Sequence, residues 1–330
     1  MTCLDRKRLV TYGQRNGLAG RVVYKLKCAC LNFIRACPMN ESIFVQISAY
    51  RDPELAHTLD SLFREAAVPS RLRVCVCWQH GPGERIPESI LKGRSIEVIP
   101  FDFAKSKGAN WARRIVQKRW RDEEFSLIVD SHLRFAPKWD RWLIAKLRWL
   151  EEQKVEKPIL TCYPPNFEVK KFQKRKSRIP LKIYKEAYHQ NMLLHFAGFP
   201  LPLWKWLKEP IRAEFLALGL LFSRGSFNRE IPLDPRIYFF GDEITTGLRA
   251  YTSGYDFFHP HRVIAWHLYD RKSRTAHWDD HPDWRMLDRK SYRRVKRLFQ
   301  GRAPARFPLG KARTVRQYEK LTGLKLILPA

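Results

Sequence analysis

Hydrophobic positions along residues 43–152 follow two alternating spacings, which predict strands and helices in turn. Short, nearly continuous apolar runs predict buried strands, and apolar residues that recur every three or four positions predict helices. The predicted strands are 43–48, 71–78, 96–101 and 125–129, and the predicted helices are 55–66, 109–120 and 138–152. This order of elements indicates an α/β fold with a mostly parallel, doubly wound, Rossmann-like sheet.

The pattern after residue 152 is less regular. A strand is predicted at 158–163, whereas residues 166–190 lack clear periodicity and carry many lysines and arginines. A solvated loop is the ordinary interpretation of such a segment, and a mobile lid or acceptor-binding loop is the alternative. Further apolar segments lie at 193–203, 213–222, 255–258 and 263–269, and a helix is predicted within 241–254.

Two acidic residues stand where helices are predicted to begin. Asp52 precedes Pro53, so Asp52 is predicted to cap the first helix with Pro53 at its first position. Asp242 is predicted to cap the later helix, which Gly254 would close.

The composition predicts a globular protein with an unusually basic surface. The 330 residues are 45% hydrophobic and include 11 Trp, 20 Phe and 12 Tyr, which is ample for a large core and excludes global disorder. They also include 62 Lys and Arg against 33 Asp and Glu, a formal net charge of +29. Such a charge favours polyanions such as nucleic acid, acidic glycan, anionic membrane or nucleotide phosphates, without choosing among them.

Cysteine usage and the lack of a recognisable targeting segment predict a cytoplasmic protein. The seven cysteines are an odd number and include two Cys-X-Cys pairs, which favours a reducing compartment over a disulfide framework. Cys28, Cys30 and Cys37 offer thiols for zinc, but their spacing is shorter than in the usual zinc motifs. No stretch approaches the roughly 20 apolar residues of a membrane span, and the apolar segment 22–34 is interrupted by two lysines.

One predicted strand ends in residues that can bind a cation. The apolar run 125–129 leads directly into Asp130, Ser131 and His132. Ligands of α/β folds bind beyond the carboxyl ends of strands, and alternate residues of an extended chain point the same way. Asp130 and His132 can therefore share a divalent cation such as Mn²⁺. A strand-end acid beside a surface histidine is the alternative interpretation.

A series of short sequence blocks resembles one protein family. The blocks occur in order across most of the chain, and as a set they are far more specific than any one of them. They are 43–52, 77–79, 108–113, 130–135, 139–140, 161–165, 222–225, 234–235, 241–244 and 266–267. They resemble the cytoplasmic polypeptide N-acetylglucosaminyltransferases that act on hydroxyproline. The Asp-X-His motif more distantly resembles the mucin-type polypeptide N-acetylgalactosaminyltransferases.

The resemblance implies a glycosyltransferase-A fold and a metal-dependent transfer that retains the anomeric configuration. The donor would be a UDP-sugar, most simply UDP-GlcNAc, and the acceptor a hydroxylated protein side chain. A divalent cation, Mn²⁺ or Mg²⁺, would stabilise the diphosphate leaving group. Its ligands would be Asp130, His132 and, by similarity to the relatives' downstream histidine, His267, with His277 in reserve.

The same blocks nominate residues that would contact the donor. They are Ser48, Tyr50, Arg51, Trp111, Arg113 and Asp130. The planar guanidinium groups of Arg51 and Arg113 suit uracil, ribose or phosphate groups. Tyr50 and Trp111 offer flat apolar surfaces, and core packing is the alternative role for both.

Asp242 and Glu243 are the predicted catalytic residues. An acid at a helix start is ordinarily a cap or a partner of the helix dipole. In the resembled fold the matching Gly-acid-Glu block faces the sugar, which assigns Glu243 to hydroxyls of the donor or acceptor. The block is more often Gly-Glu-Glu, so the contact of the shorter Asp242 stays open.

The predicted organisation is a basic arm at 1–40, a catalytic domain at 41–280 and a basic, partly helical extension at 281–330. Basic segments at both ends keep a second acceptor open, a hydroxylated base in DNA. The alternative of another class is a basic nucleic-acid-binding protein or a metal nuclease. A nuclease needs clustered carboxylates for two ions, and the sequence offers one clear acidic ligand.

Overall fold

A computed structural model gives the fold of residues 41–172, 176–188, 194–272 and 274–326. The predicted basic arm at 1–40 lies outside these described residues. The strands are β1 Ile43–Tyr50, β2 Leu72–His80, β3 Ile96–Asp102, β4 Phe125–Asp130, β5 Leu133–Phe135, β6 Pro158–Thr161, β7 Leu181–Tyr188, β8 Leu194–Pro200, β9 Ile211–Ala213, β10 Leu220–Arg224, β11 Asp256–His259 and β12 Ala265–His267. Eight of them form one mixed sheet in the order β3-β2-β1-β4-β10-β6-β11-β9.

Helices cover both faces of this sheet. They are α1 Leu55–Arg64, α2 Glu88–Leu91, α3 Ala109–Gln117, α4 Trp139–Glu152, α5 Phe227–Glu230, α6 Asp242–Thr252, α7 His277–Asp280, α8 Trp284–Phe299 and α9 Val315–Thr322. Ile43, Val45 and Ile47 of β1 pack on one face with α1 and α4. Phe44 packs on the other face with α3. Because both faces of β1 are buried, most of its residues are apolar, and the buried Gln46 side chain donates hydrogen bonds to Ser126 and Asn228.

The four strands β3, β2, β1 and β4 run parallel, so their carboxyl ends meet at one edge. Ser48 near the end of β1 pairs with Cys77 of β2 and with Asp130 at the end of β4. The register therefore places Ser48 and Asp130 side by side at the edge where α/β folds bind ligands.

The second half of the sheet changes direction. β10 lies antiparallel between β4 and β6, and β11 returns parallel to β6. A second core joins these strands to the helices of the C-terminal part, with Leu248 of α6, Leu298 of α8 and Tyr318 of α9 all buried in it. The division of the chain at residue 280 stays a prediction.

The two predicted helix caps were wrong. Glu54 is the N-cap of α1, and Asp52 instead accepts a hydrogen bond from the Glu54 amide at 2.9 Å, a local turn that short acids favour. Gly241 is the N-cap of α6, with φ 94° in the left-handed region that glycine tolerates, and Asp242 is the first helical residue.

The predicted solvated loop at 166–190 is also corrected, because it contains β7. This strand pairs antiparallel with β8 as a separate two-stranded sheet. Ile183 is 1% exposed and the adjacent Tyr184 is 49% exposed, so one side of the strand is buried and the other faces solvent. Residues 173–175 and 189–190 lie outside the described ranges.

Two predictions from composition have direct counterparts in the described residues. Cys75, Cys77 and Cys162 are buried free thiols. Among the described helices, none has the length and apolar character needed to cross a membrane.

Candidate active site

A cavity of about 660 Å³ lies at the carboxyl edge of the parallel strands. Most of the predicted site residues line it: Ser48, Tyr50, Arg113, Asp130, His132, Asp242, Glu243, His267 and the reserve candidate His277. Arg51 and Trp111 are not among the described residues that line this cavity. The fold thus brings together side chains from distant parts of the chain.

Asp130, His132 and His267 form a candidate metal centre in this cavity. β12 pairs with β5 so that His267 lies opposite Leu133, the residue after His132. One potential ligand atom from each of the three residues lies within 4.8 Å of the others. His267 Nε2 lies 3.3 Å from Asp130 Oδ2, and the two imidazole rings meet edge to face with centroids 4.5 Å apart.

The chemistry of these three donors fits a divalent cation. Burial lowers the pKa of His267 to about 4, although the hydrogen bond with Asp130 acts in the opposite direction, so the imidazole is neutral near pH 7. Burial opposes ionisation of Asp130, but the hydrogen bond with His267 and the charge of Arg113 hold its pKa well below the ordinary range. A carboxylate and neutral imidazoles are the protonation states that metal binding requires.

Gly219, which the sequence pattern did not single out, leaves room for the Asp130 carboxylate. Its carbonyl accepts the Asp130 amide at 3.3 Å, just before β10 begins. A Cβ atom at Gly219 would lie 2.7 Å from Asp130 Oδ2. A larger residue would therefore displace the carboxylate, which makes glycine part of the candidate metal centre.

The His132 ring is held by groups that sequence reasoning assigned elsewhere or missed. Asp52, predicted as a helix cap, has Oδ2 2.7 Å from His132 Nδ1 and accepts the Ser131 hydroxyl at 2.6 Å. Such a carboxylate fixes the orientation of a metal-binding imidazole. Arg274 Nη1 lies 2.5 and 2.7 Å from the two ring nitrogens of His132. Asp52 follows the end of β1, which is the signal for its role, whereas nothing local marked Arg274.

Arg113 links the candidate metal centre to the start of α6. Its Nη1 donates to Asp242 Oδ2 at 2.6 Å and its Nη2 donates to Asp130 Oδ1 at 3.2 Å. Burial disfavours its charge, but the two carboxylates outweigh burial and raise the pKa of Arg113. Burial also raises the pKa of Asp242 in spite of Arg113. A permanently charged guanidinium is therefore fixed between two acids at the wall of the cavity.

Glu243, the residue after Asp242, is anchored by two hydrogen bonds. Its Oε1 accepts the Leu218 amide at 2.8 Å, and its Oε2 accepts the Tyr163 hydroxyl. Burial, reinforced by the charge of Asp242, raises the pKa of Glu243 to about 8. A carboxyl group that holds a proton near neutral pH can donate as well as accept a hydrogen bond.

The predicted donor residues at the end of β1 are engaged by an acid of α7. The Tyr50 hydroxyl donates to Asp280 Oδ2 at 2.7 Å, and Arg51 Nη1 donates to Asp280 Oδ1 at 2.9 Å. Arg51 has φ 44° and also pairs with Glu84. Its side chain is thus directed to α7 and Glu84 beside the cavity, and donor contact by Arg51 stays a prediction.

Trp111 and His277 have other surroundings. Trp111 packs edge to face against Phe101 with ring centroids 5.1 Å apart, which is the core role allowed for it above. His277 lines the cavity away from the three-residue cluster. Its Nδ1 is hydrogen-bonded to the Tyr238 hydroxyl at 2.8 Å, and its ring stacks on that of His281.

Comparisons with known proteins agree with this geometry. A family model described as glycosyltransferase (GlcNAc) matches residues 42–92 and 83–327. The solved structure of GalNAc-T7 with UDP, GalNAc and Mn²⁺ superposes with a TM-score of 0.52 at 14% identity. The match covers 86% of this chain and 55% of that one, so this chain spans just over half of its length. The likeness identifies the fold as glycosyltransferase-A, as predicted.

A second solved structure, S. aureus TarS residues 1–349 in complex with UDP-GlcNAc, has a TM-score of 0.47 at 13% identity. This match covers 76% of the present chain and 66% of TarS 1–349. No curated protein sequence matches significantly.

Proposed function

Because the chain belongs to the glycosyltransferase (GlcNAc) family, we propose that it transfers N-acetylglucosamine from UDP-GlcNAc to an acceptor hydroxyl. The convergence of Asp130, His132 and His267 on one cavity beside Arg113 carries the proposal. A nucleotide-sugar presents a diphosphate, whose negative charge a divalent cation and a guanidinium can both stabilise. The UDP and Mn²⁺ of the GalNAc-T7 structure support the same pairing of donor and metal.

Each charged group has a proposed task. Asp130, His132 and His267 would hold Mn²⁺ or Mg²⁺, and the bound cation would take up charge that develops on the leaving diphosphate. Arg113 keeps Asp130 ionised and places a fixed positive charge in the cavity. Glu243, anchored by a backbone amide, would hydrogen-bond a hydroxyl of the sugar or the acceptor.

In the proposed reaction, the bond between the anomeric carbon and the phosphate oxygen breaks and UDP leaves. The acceptor oxygen forms a bond to the anomeric carbon and loses its proton, and the anomeric configuration is retained. The resemblance of the sequence blocks to hydroxyproline-modifying enzymes makes a hydroxylated protein side chain the first acceptor to test.

A hydroxylated base in DNA is the second candidate acceptor. The observation in its favour is a second, strongly basic cavity that shares Tyr238 with the first. A nucleic-acid strand held by these cations would reach the edge of the first cavity.

The test of the proposed function is UDP release from UDP-GlcNAc, UDP-GalNAc and UDP-glucose, with and without Mn²⁺. We expect Mn²⁺-dependent turnover that is fastest with UDP-GlcNAc and is lost in the Asp130→Ala and His132→Ala variants. The matched control is His57→Ala, which removes an exposed histidine of α1 and should leave turnover unchanged. Turnover that is independent of the metal, or unchanged in Asp130→Ala, would exclude the proposed function.

The acceptor is identified in the same assay with hydroxyproline peptides and with DNA that contains hydroxymethylated bases. Mass spectrometry of the acceptor shows which class gains the sugar. Nuclear magnetic resonance of the product distinguishes retention from inversion at the anomeric carbon.

A further inference from the structure

A second cavity of about 600 Å³ lies between α8 and the segment 234–238 that precedes α6. Seven of its described lining residues are Lys or Arg, and no Asp or Glu is among the described residues that line it. We call this the basic cleft, and its cations are Lys107, Arg236, Lys290, Arg293, Arg294, Arg297 and Arg302.

The walls of the basic cleft are held together by the fold. Ile237 and Val295 pack together and are 2% and 1% exposed. The Tyr238 amide donates to Ser291 Oγ at 2.6 Å, and Arg294 forms an ion pair with Asp234. Because both walls are anchored to each other, the cleft is a preformed concave site.

The third side of the basic cleft is fixed by a close approach. Gly108, beside Lys107, has φ 104°, and a Cβ atom there would lie 2.6 Å from Tyr238 Cδ2. Only glycine allows the start of α3 to approach Tyr238 this closely. The fold thus places Lys107 at the wall of the basic cleft.

Most of these cations have no acidic partner among the residues that the structure describes. Arg294 is paired with Asp234, but no ion pair joins any of the other six to an acid within the described ranges. All six are exposed. Six unpaired like charges around one concavity repel one another unless an anion lies between them. The arrangement therefore indicates a ligand with several negative charges.

The spacing of the cations favours a linear polymer over a single phosphate. Lys290, Arg293 and Arg297 follow one another at three- and four-residue steps, which places them along one face of α8. Seven residues of helix span roughly 10 Å. Phosphates along one DNA strand are separated by about 3.4 Å of axial rise, so the row matches about three steps of a backbone.

The floor of the basic cleft favours nucleic acid among linear polyanions. Besides the cations, the cleft is lined by Pro235, Leu287, Ala303 and Pro304, and by Tyr238, which is 4% exposed. A positively charged groove that follows the backbone is a shared feature of proteins that bind single strands, and the apolar residues beside these cations can contact bases or sugars.

We propose that the basic cleft binds the sugar-phosphate backbone of a nucleic acid. The cations contact the phosphates, and the apolar floor contacts bases or sugars. Tyr238 lines both cavities, so a bound strand lies next to the candidate active site. Binding follows from the charges and shape of the basic cleft and is independent of whether sugar transfer occurs.

The test uses the full chain and a fluorescein-labelled single-stranded DNA, with anisotropy measured between 50 and 200 mM salt, the range over which phosphate contacts lose roughly 10³–10⁵ in affinity. In the cleft variant, Lys290, Arg293 and Arg297 are each changed to Gln. In the control variant, Arg141, Lys205 and Lys208 are each changed to Gln; these are equally exposed and line neither cavity.

We expect the slope of log affinity against log salt to fall by about 2 to 3 in the cleft variant and to stay near the wild-type value in the control. Affinity at moderate salt should fall at least about tenfold in the cleft variant only. An equal loss in both variants would show that net charge alone binds DNA and would overturn the proposal. The proposal would also be overturned if heparin or polyglutamate displaced the labelled DNA as well as unlabelled DNA does at equal total charge.

A second cleft variant distinguishes loss of phosphate contacts from a folding defect in α8. It changes Lys107, Arg236 and Arg302, which lie on the other walls, to Gln. The proposal predicts the same loss of DNA affinity from both cleft variants. It also predicts wild-type UDP release without acceptor in both, because none of the six residues lines the candidate active site. Wild-type DNA affinity in this second variant would contradict the proposal.

Discussion

The two cavities hold their charges in opposite ways. In the candidate active site, Arg113 is partly buried between Asp130 and Asp242, and each charge has a partner at hydrogen-bond distance. In the basic cleft, Arg293 and Arg297 are exposed, and no described acid pairs with either. Both cavities nevertheless meet at Tyr238.

This difference separates charges that the fold needs from charges that a partner needs. A buried charge that loses its partner costs several kcal/mol, because the remaining charge cannot reach water. An exposed charge contributes little to the folded state and acts mainly on binding partners. Substitutions of charged residues in the candidate active site should therefore lower stability, whereas substitutions in the basic cleft should mainly lower the affinity for a binding partner.

The largest effect on stability is expected from Arg113→Met. The variant leaves the buried carboxylate of Asp242 and the partly buried carboxylate of Asp130 without their common cation, and the free energy of unfolding should fall by about 3 kcal/mol. Urea denaturation measures the change. The control is Arg114→Met on the same helix, which breaks a hydrogen bond to Gln117 and should cost about 1 kcal/mol. Equal losses of stability in the two variants would show that the ion pairs of Arg113 with Asp130 and Asp242 contribute no more than a single hydrogen bond.

A smaller effect, on Mn²⁺ affinity, is expected from Asp52→Asn. The change removes the negative charge that orients the His132 ring, and Mn²⁺ affinity should fall about 10- to 100-fold. Isothermal titration with Mn²⁺ measures the loss. Asp60→Asn, which removes an acid of α1 paired with Arg64 and Arg94, is the control and should bind Mn²⁺ as wild type does. Unchanged Mn²⁺ affinity in Asp52→Asn would remove Asp52 from the candidate metal centre.

The sequence pattern was sufficient to predict the strands that carry the candidate metal centre. Parallel strands end at one edge, so the acid at the end of β4 and the histidine two residues later could be placed at a ligand site from local information. The antiparallel direction of β10 could not be predicted, because an apolar run such as 213–222 carries no sign of its orientation. The strand β7 was missed because its lysines disguise the alternation of a half-buried hairpin strand.

The charged contacts of the site were less accessible to prediction. Arg113 and Asp242 are separated by 129 positions, and Arg274 and His132 by 142. Which of many basic residues reaches a given acid depends on how the loops fold back over the sheet edge. Donor contact by Arg51 and Trp111 stays a prediction, since the described side chains of both pack beside the cavity rather than in it.

The pH dependence of stability tests the environment of Glu243. Its pKa is raised from an ordinary value of 4.5 to about 8, by burial first and by the charge of Asp242 second. Between these values the folded protein holds a proton that the unfolded chain releases, so the free energy of unfolding falls as pH rises from about 4.5 to about 8. A glutamine at this position cannot titrate.

Urea denaturation of wild type and Glu243→Gln at several pH values, in the absence of metal, measures this contribution. We expect a shallower decline in the variant across that window. Glu88→Gln, in an exposed position of α2, is the control and should keep the wild-type slope. Parallel curves for wild type and Glu243→Gln would show that Glu243 titrates as it does in the unfolded chain.

The smallest effect on stability is expected in the basic cleft. Changing Lys290, Arg293 and Arg297 to Gln removes three exposed like charges, so the free energy of unfolding should change by less than about 0.5 kcal/mol per residue, with any net change towards stabilisation because repulsion is relieved. Urea denaturation at low and moderate salt measures it, and the change should shrink as salt screens the charges. A loss as large as that of Arg113→Met would mean that these cations hold the fold together. The contrast between the two cavities would then fail, and the loss of DNA affinity in the same variant could no longer be assigned to the basic cleft.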